Sequence, residues 1–291
     1  MAAPTPVRAL VHSSTLVTAG VYLLLRFNHH GTEWLLAAGS TTLVIAGLCA
    51  CGEMDIKKIV ALSTLSQLGV MVVGLGLALK SLCFLHLMTH AVFKALLFMR
   101  VGVGIHTVFG TQDFRSYCNV SRTLPGPRAL LSVANLALLG FPFLAGFYRK
   151  DAILEGFYRS GQGAVGLVAF LAGVGLTAAY RLKLTRLALL GTLTPTPATL
   201  NGGGRPTVVK APLLALGAAA VASGYLLAPL LHTDVCAVGT EDKMAPLLFI
   251  SLGGGIGWRL RYVKASFLNR IWDLTPGAQL LADTGGGMRA A

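Results

Sequence analysis

The sequence predicts an all-α, polytopic membrane protein with about eight transmembrane helices, and three observations lead there. The first is composition. Of 291 residues, 54% are hydrophobic and only 12% are charged, with a mean hydropathy of +0.70. Soluble domains carry about 25% charged residues. The second is segmentation. The apolar residues gather into stretches near the ~20 residues that a helix needs to cross a hydrocarbon core roughly 30 Å thick. The third is the sorting of charge. If successive segments cross alternately, most of the 24 Lys and Arg residues share one side, among them Arg8, Lys57, Lys58, Arg115, Arg181, Lys183, Arg186 and Arg259. Arg26, Lys80, Arg149, Lys150, Arg159 and Lys243 fall on the other side, and Lys94 and Arg100 lie inside a span. This asymmetry is the positive-inside pattern, and it puts the N-terminus on the cytoplasmic or matrix side. The formal net charge of +13 therefore orients the chain in lipid and does not point to nucleic acid.

The segments follow in order. Residues 1–31 form the first unit, with an apolar stretch over 7–27 that carries His12. Its opening, Met1-Ala2-Ala3-Pro4-Thr5-Pro6, reads neither as a secretory signal nor as an Arg-rich transit peptide. The stretch 32–52 holds Cys49 and Cys51. No CxxC pair occurs among the five cysteines, so no zinc or iron–sulfur site is expected. The stretch 57–79 opens on Asp55-Ile56-Lys57-Lys58 and carries a polar cluster of Ser63, Thr64, Ser66 and Gln67. Such a cluster suits helix–helix contacts or a wetted path, and the two lysines also suit snorkelling to the headgroups.

The stretch 81–109 is the most informative. It contains His86, His90 and Lys94 at intervals of four, within otherwise apolar sequence. Residues four apart share one face of a helix, so the three side chains line up over about 12 Å of rise. A lysine near a bilayer centre costs about 2.5–3.5 kcal/mol on insertion scales. A lysine taken out of water binds its proton less tightly, and a histidine titrates near neutrality with two ring nitrogens. The row reads as a proton relay. A lone histidine reads instead as an interhelical hydrogen-bonding residue. Arg100 lies beyond Lys94 toward the positive side, within snorkelling reach.

The stretch 127–160 is too long for one straight crossing and contains Gly140-Phe141-Pro142-Phe143. Proline removes a backbone donor and clashes with the preceding turn, and glycine frees the backbone. Two readings follow: a pair of half-helices joined by an unwound link, as at ion sites, or a kinked helix with Lys150 and Asp151 at the interface. The stretch 164–190 completes the central unit, residues 32–190. Residues 191–207, rich in Pro, Thr and Gly, read as a flexible loop. Two further crossings are expected within 208–260, followed by a polar tail over 261–291. No GxSxG, HExxH or phosphate loop occurs.

Several long stretches carry a resemblance. Residues 4–27, Asp55–Gly69, the His86–Lys94 line, Gln112-Asp113-Phe114-Arg115 and Gly140–Asp151 closely resemble the subunit 5 family of mitochondrial NADH:ubiquinone oxidoreductase, respiratory complex I. The likeness runs from about residue 4 to about 186. It implies a proton-pumping, antiporter-like membrane-arm module of the mitochondrial inner membrane, with the N-terminus in the matrix. The family has two inverted five-helix repeats, each with a broken helix and a buried lysine. On that match, Lys94 corresponds to the central lysine of the second repeat, and His86 and His90 to its relay neighbours. Lys150 with Asp151 corresponds to the broken-helix site near the exit, Lys57 to another lysine of the axis, and His12 to the histidine that joins the halves. NADH, FMN, iron–sulfur clusters and ubiquinone are expected on other subunits, and no redox site on this chain. The first repeat and the lateral helix of the family have no counterpart here, so a separate chain is expected to carry the first half. The alternatives are a non-pumping structural fragment and a stand-alone cation/proton antiporter subunit.

Overall fold

The computed structural model describes residues 7, 11, 15–27, 33–107, 125–140, 145–160, 164–190, 207–227 and 240–259. Among them run the helices α1 (Leu16–Phe27), α2 (Glu33–Gly52), α3 (Ile56–Gly76), α4 (Lys80–Thr107), α5 (Pro125–Leu139), α6 (Ala145–Ser160), α7 (Ala164–Leu190), α8 (Thr207–Leu227) and α9 (Thr240–Arg259). The all-helical membrane fold of the sequence analysis is the fold of the described residues. His12, Pro142, most of the 191–207 loop and the 261–291 tail lie outside them.

Among the described residues, four helical stretches are long and apolar enough to cross a membrane: Glu33–Gly52, Ile56–Gly76, Lys80–Ile105 and Val165–Arg186. Leu16–Phe27, Ala129–Leu139 and Ala211–Ala220 are shorter apolar helices. The 127–160 stretch is two helices, α5 and α6.

The break falls at Gly140, where α5 ends, and α6 begins at Ala145. Gly140 has φ +85, a left-handed backbone that other residues adopt at a cost of roughly 1–2 kcal/mol. A kinked but continuous helix is therefore not what the chain forms.

Apolar solvent offers no hydrophobic drive between helices, so close backbone approach through small residues takes its place. One such close approach joins α2 to α3. A Cβ on Gly39 would lie 2.7 Å from the Val73 backbone nitrogen, and one on Gly69 would lie 2.8 Å from that of Leu43. The link between these helices is short, with Asp55 extended at the N-cap of α3 and its carbonyl accepting from Ile59 N–H at 2.9 Å. α2 also packs on α7, and α7 on α9. α4 packs on α3, α5 and α8. The interior that results is enclosed by α3, α4, α5, α6 and α7. Its apolar wall includes Ile59, Val60, Phe93, Leu97 and Ala134, all buried.

Arg181 and Lys183, counted with the positive side, are both buried within α7, at 1% and 2% exposure. They lie two residues apart, about 200° around the helix, so packed neighbours on opposite faces enclose both.

Candidate functional site

Lys94 stands in the middle of α4 with no exposed surface. Its Nζ donates to Ser63 Oγ at 2.5 Å and to the Val60 carbonyl at 3.3 Å, both on α3. Ser63 in turn donates its hydroxyl to the same Val60 carbonyl at 2.7 Å. The polar cluster on α3 thus supplies the lysine with a partner, because Val60 and Ser63 lie three apart on one helix face. His90 and His86 continue the line on α4. Both are buried, with ring centroids 6.2 Å apart and planes inclined by 54°. The four-residue register does what the sequence predicts: three titratable side chains share one buried face.

Lys150 is the second buried lysine, at 3% exposure on α6. Its Nζ donates to the Leu139 carbonyl at 2.7 Å and to Thr177 Oγ1 at 3.3 Å. Leu139 is the last residue of α5. Its carbonyl is one of the acceptors that a helix C-terminus leaves without an intrahelical partner, at the negative end of the helix dipole. The break at Gly140 exposes that acceptor. Gly140 also keeps the approach open, since a Cβ there would lie 3.2 Å from Lys150 Cδ and 3.4 Å from its Nζ. Thr177 donates its own hydroxyl to Val174 at 2.7 Å.

The two lysines therefore meet the same device. Each ammonium donates to a hydroxyl whose hydrogen rests on the carbonyl three residues earlier in its helix. A hydroxyl is donor and acceptor at once, and its hydrogen rotates freely. It accepts from the ammonium, and after a turn of its O–H it donates to the neutral amine. Each lysine has a partner in either protonation state, which is what a proton carrier requires.

The remaining predicted residues are placed as follows. Lys57 is half-buried in the first turn of α3, unlike Lys94 and Lys150. Asp151 is half-buried, next to Lys150 on α6. Arg100, within snorkelling reach by sequence, is buried at 5% exposure.

Three further buried polar residues had no site role in the sequence reading. Arg181 donates to Asn135 Oδ1 at 3.0 Å and lies over the Tyr180 ring, 5.3 Å from its centroid. Asn135 is 2% exposed. Lys183 donates to the carbonyls of Cys51 at 2.7 Å and Glu53 at 3.1 Å. It thereby satisfies orphan acceptors at the end of α2, where a cation is favoured. A signal for Arg181 did exist. Thr177 and Arg181 are four apart in an apolar stretch, as are Asn135 and Leu139, so each pair shares a helix face.

The chain as a whole is similar to known proteins. The family model described as "NADH:quinone oxidoreductase/Mrp antiporter, TM" matches residues 1–177. The protein named NADH-ubiquinone oxidoreductase chain 5 of Anopheles quadrimaculatus is 43% identical over 278 residues, covering 93% of this chain and 48% of that protein. Its namesake in Lumbricus terrestris is 43% identical over 275 residues, covering 89% of this chain and 46% of that protein. The chain thus spans about half the length of these relatives. A solved structure, the Mrp complex from Dietzia sp. DQ12-45-1b, matches with a TM-score of 0.75 at 25% identity, over 99% of this chain and 34% of that one.

Proposed function

This chain belongs to the NADH:quinone oxidoreductase/Mrp antiporter transmembrane family, and we propose that it carries the second proton path of a complex I subunit 5. In this reading protons pass along His86, His90 and Lys94 on α4 and reach Lys150 beside the helix break, with water between them. One observation carries the reading: Lys94 and Lys150 are each served by a hydroxyl able to partner both the charged and the neutral form. Intramembrane ionisable residues on one face are functional by default, given their cost of insertion.

The chain's work in this reading is proton transfer alone. NADH oxidation, with FMN, iron–sulfur clusters and ubiquinone, belongs to other subunits of the same assembly. The membrane is the mitochondrial inner membrane, with the N-terminus in the matrix, supported by the sorting of basic residues. The relatives carry about twice this length in one chain. In this reading the first repeat stands beside this one, and mass spectrometry of the purified membrane complex tests whether it is carried on the same polypeptide or on another.

Lys94→Ala in an assembled complex tests the transport role. Protons moved per NADH oxidised should fall while NADH oxidation continues. An unchanged ratio removes the transport role and leaves a structural part of the membrane arm. The Mrp likeness favours one further reading, a stand-alone cation/proton antiporter. Co-purification of this chain with other complex I subunits counts against that reading, and activity of the chain alone in liposomes supports it.

A further inference from the structure

Away from the lysine sites, α7 and α9 close on each other through small residues. A Cβ on Gly253 would strike the Gly175 carbonyl, and one on Gly257 the carbonyl of Ala179. Gly175 and Ala179 are four apart, as are Gly253 and Gly257, so each pair forms a seam on its helix. Past this seam Arg186 of α7 reaches the last turn of α9. Its Nη1 donates to the Trp258 carbonyl, and its guanidinium carbon lies 4.2 Å from the centroid of the Trp258 ring. That carbonyl is one of the acceptors that a helix C-terminus leaves over. It belongs to the peptide joining Trp258 to Arg259, and Arg259 is exposed. Arg186 is thus bound to the same peptide unit from which Arg259 springs. No carboxylate among the described residues pairs with either arginine. Toward the middle of α9, Leu248, Leu252 and Ile256 are exposed at intervals of four. They form an apolar strip about 12 Å long. Gly255 beside it is exposed as well, with open space where a Cβ would stand.

We propose that the corner formed by Arg186, Trp258 and Arg259 is a binding site for an anionic phospholipid, with its phosphate on the two arginines and an acyl chain along Leu248, Leu252 and Ile256. The inference stands apart from the proton path. A guanidinium carries five N–H donors in a planar fork that matches a phosphate, and Arg186 spends one of them on Trp258. Stacking on the indole holds the plane of the fork and leaves its edge free. Tryptophan favours the headgroup level of a membrane, and Trp258 is 47% exposed. Both arginines sort with the positive side of the chain, where basic residues beside a membrane helix attract anionic lipid. A zwitterionic headgroup carries a cation of its own, which two guanidinium groups repel. The apolar strip runs from the arginines into hydrocarbon depth. That layering suits a ligand both anionic and apolar, and a free phosphate has no use for it.

Photolabelling of the intact membrane complex in a neutral detergent tests the site. The probes are phosphatidylglycerol and phosphatidylcholine with the same photoactivatable acyl chain, and label within residues 240–259 is quantified by mass spectrometry. The anionic probe should label this segment about fivefold more than the zwitterionic one, or better, since one basic residue near an anionic lipid contributes about that factor. Arg259→Gln should reduce the preference, and Arg186→Gln combined with Arg259→Gln should abolish it. Equal labelling of the wild type by both probes overturns the inference, because the strip is then merely bathed in lipid. An unchanged preference in the double variant overturns it too. No label from either probe means that protein covers this face, and has the same consequence. Excess inorganic phosphate should leave the labelling as it is, and full competition would assign the corner to a soluble anion and overturn the lipid site. Should loss of Arg186 loosen α7 from α9 and prevent assembly, Arg259→Glu takes its place. It reverses a charge on an exposed residue and should remove the preference, and a wild-type preference there overturns the site. Proton transfer does not enter the readout, so failure here leaves the proton-path reading standing.

Discussion

The Lys94 and Lys150 sites solve one problem on two kinds of backbone. At Lys94 every helix is regular, and both acceptors come from the α3 face, Ser63 at 2.5 Å and Val60 at 3.3 Å. At Lys150 the hydroxyl of Thr177 stands farther off at 3.3 Å, and the closer partner at 2.7 Å is a carbonyl freed by the end of α5. The first lysine therefore leans on a side chain and the second on a broken helix. A buried ammonium needs acceptors, and a bilayer supplies none. At Lys94 the neighbouring helix supplies both acceptors and the ladder stays whole. At Lys150 an opened helix end adds its carbonyl to the hydroxyl of Thr177.

That contrast can be broken most severely at Gly140. Gly140→Val places a β-branched residue at φ +85 and its Cβ against the Lys150 side chain. Backbone strain of this kind costs about 1–3 kcal/mol, with the displaced lysine in addition. The amount of assembled subunit in membranes should drop sharply, and wild-type assembly would show that the break is not needed to seat Lys150. The next largest effects compare the two hydroxyls. Ser63→Ala leaves Lys94 one acceptor at 3.3 Å, whereas Thr177→Val leaves Lys150 its 2.7 Å carbonyl. An acceptor lost from a buried group costs about 1–3 kcal/mol. Thermal stability and proton-pumping rate of the complex should both suffer more in Ser63→Ala than in Thr177→Val, and the reverse order would refute the assignment of partners. The smallest effect is expected outside this interior. Lys58 approaches Glu53 at 4.0 Å and Asp55 at 3.6 Å, with Lys58 42% exposed. Exposed pairs contribute about 0–1 kcal/mol, so Asp55→Asn should leave stability near wild type. A large loss in a melting measurement would mean that this surface cluster supports the fold.

Much of this interior was legible in the sequence. The register of His86, His90 and Lys94 follows from helical periodicity alone, because a four-residue spacing has one outcome on a helix. Segment length together with a Gly-Phe-Pro run narrows 127–160 to a broken or a kinked helix, and the backbone at Gly140 decides between them. The burial of Arg181 and Lys183 was not legible. Near a helix end, sequence position does not distinguish a charge in the headgroups from one under a neighbouring helix. That depends on how α2 and α5 meet α7. The pairing of Lys94 with Ser63 was half visible: the polar cluster on α3 stood out, but which member faces α4 is set by the rotation of two helices about their axes. Asn135 gave no signal by itself, and acquires meaning only beside Arg181.

The central claim is that two lysines on different backbones serve one path. Proton stoichiometry in sealed vesicles tests it most directly, with Lys94→Ala, Lys150→Ala and the double variant in assembled complex. A single path predicts that all three fall to the same lower ratio of protons to NADH. A double variant clearly worse than either single one, or a wild-type ratio in either single variant, would contradict it.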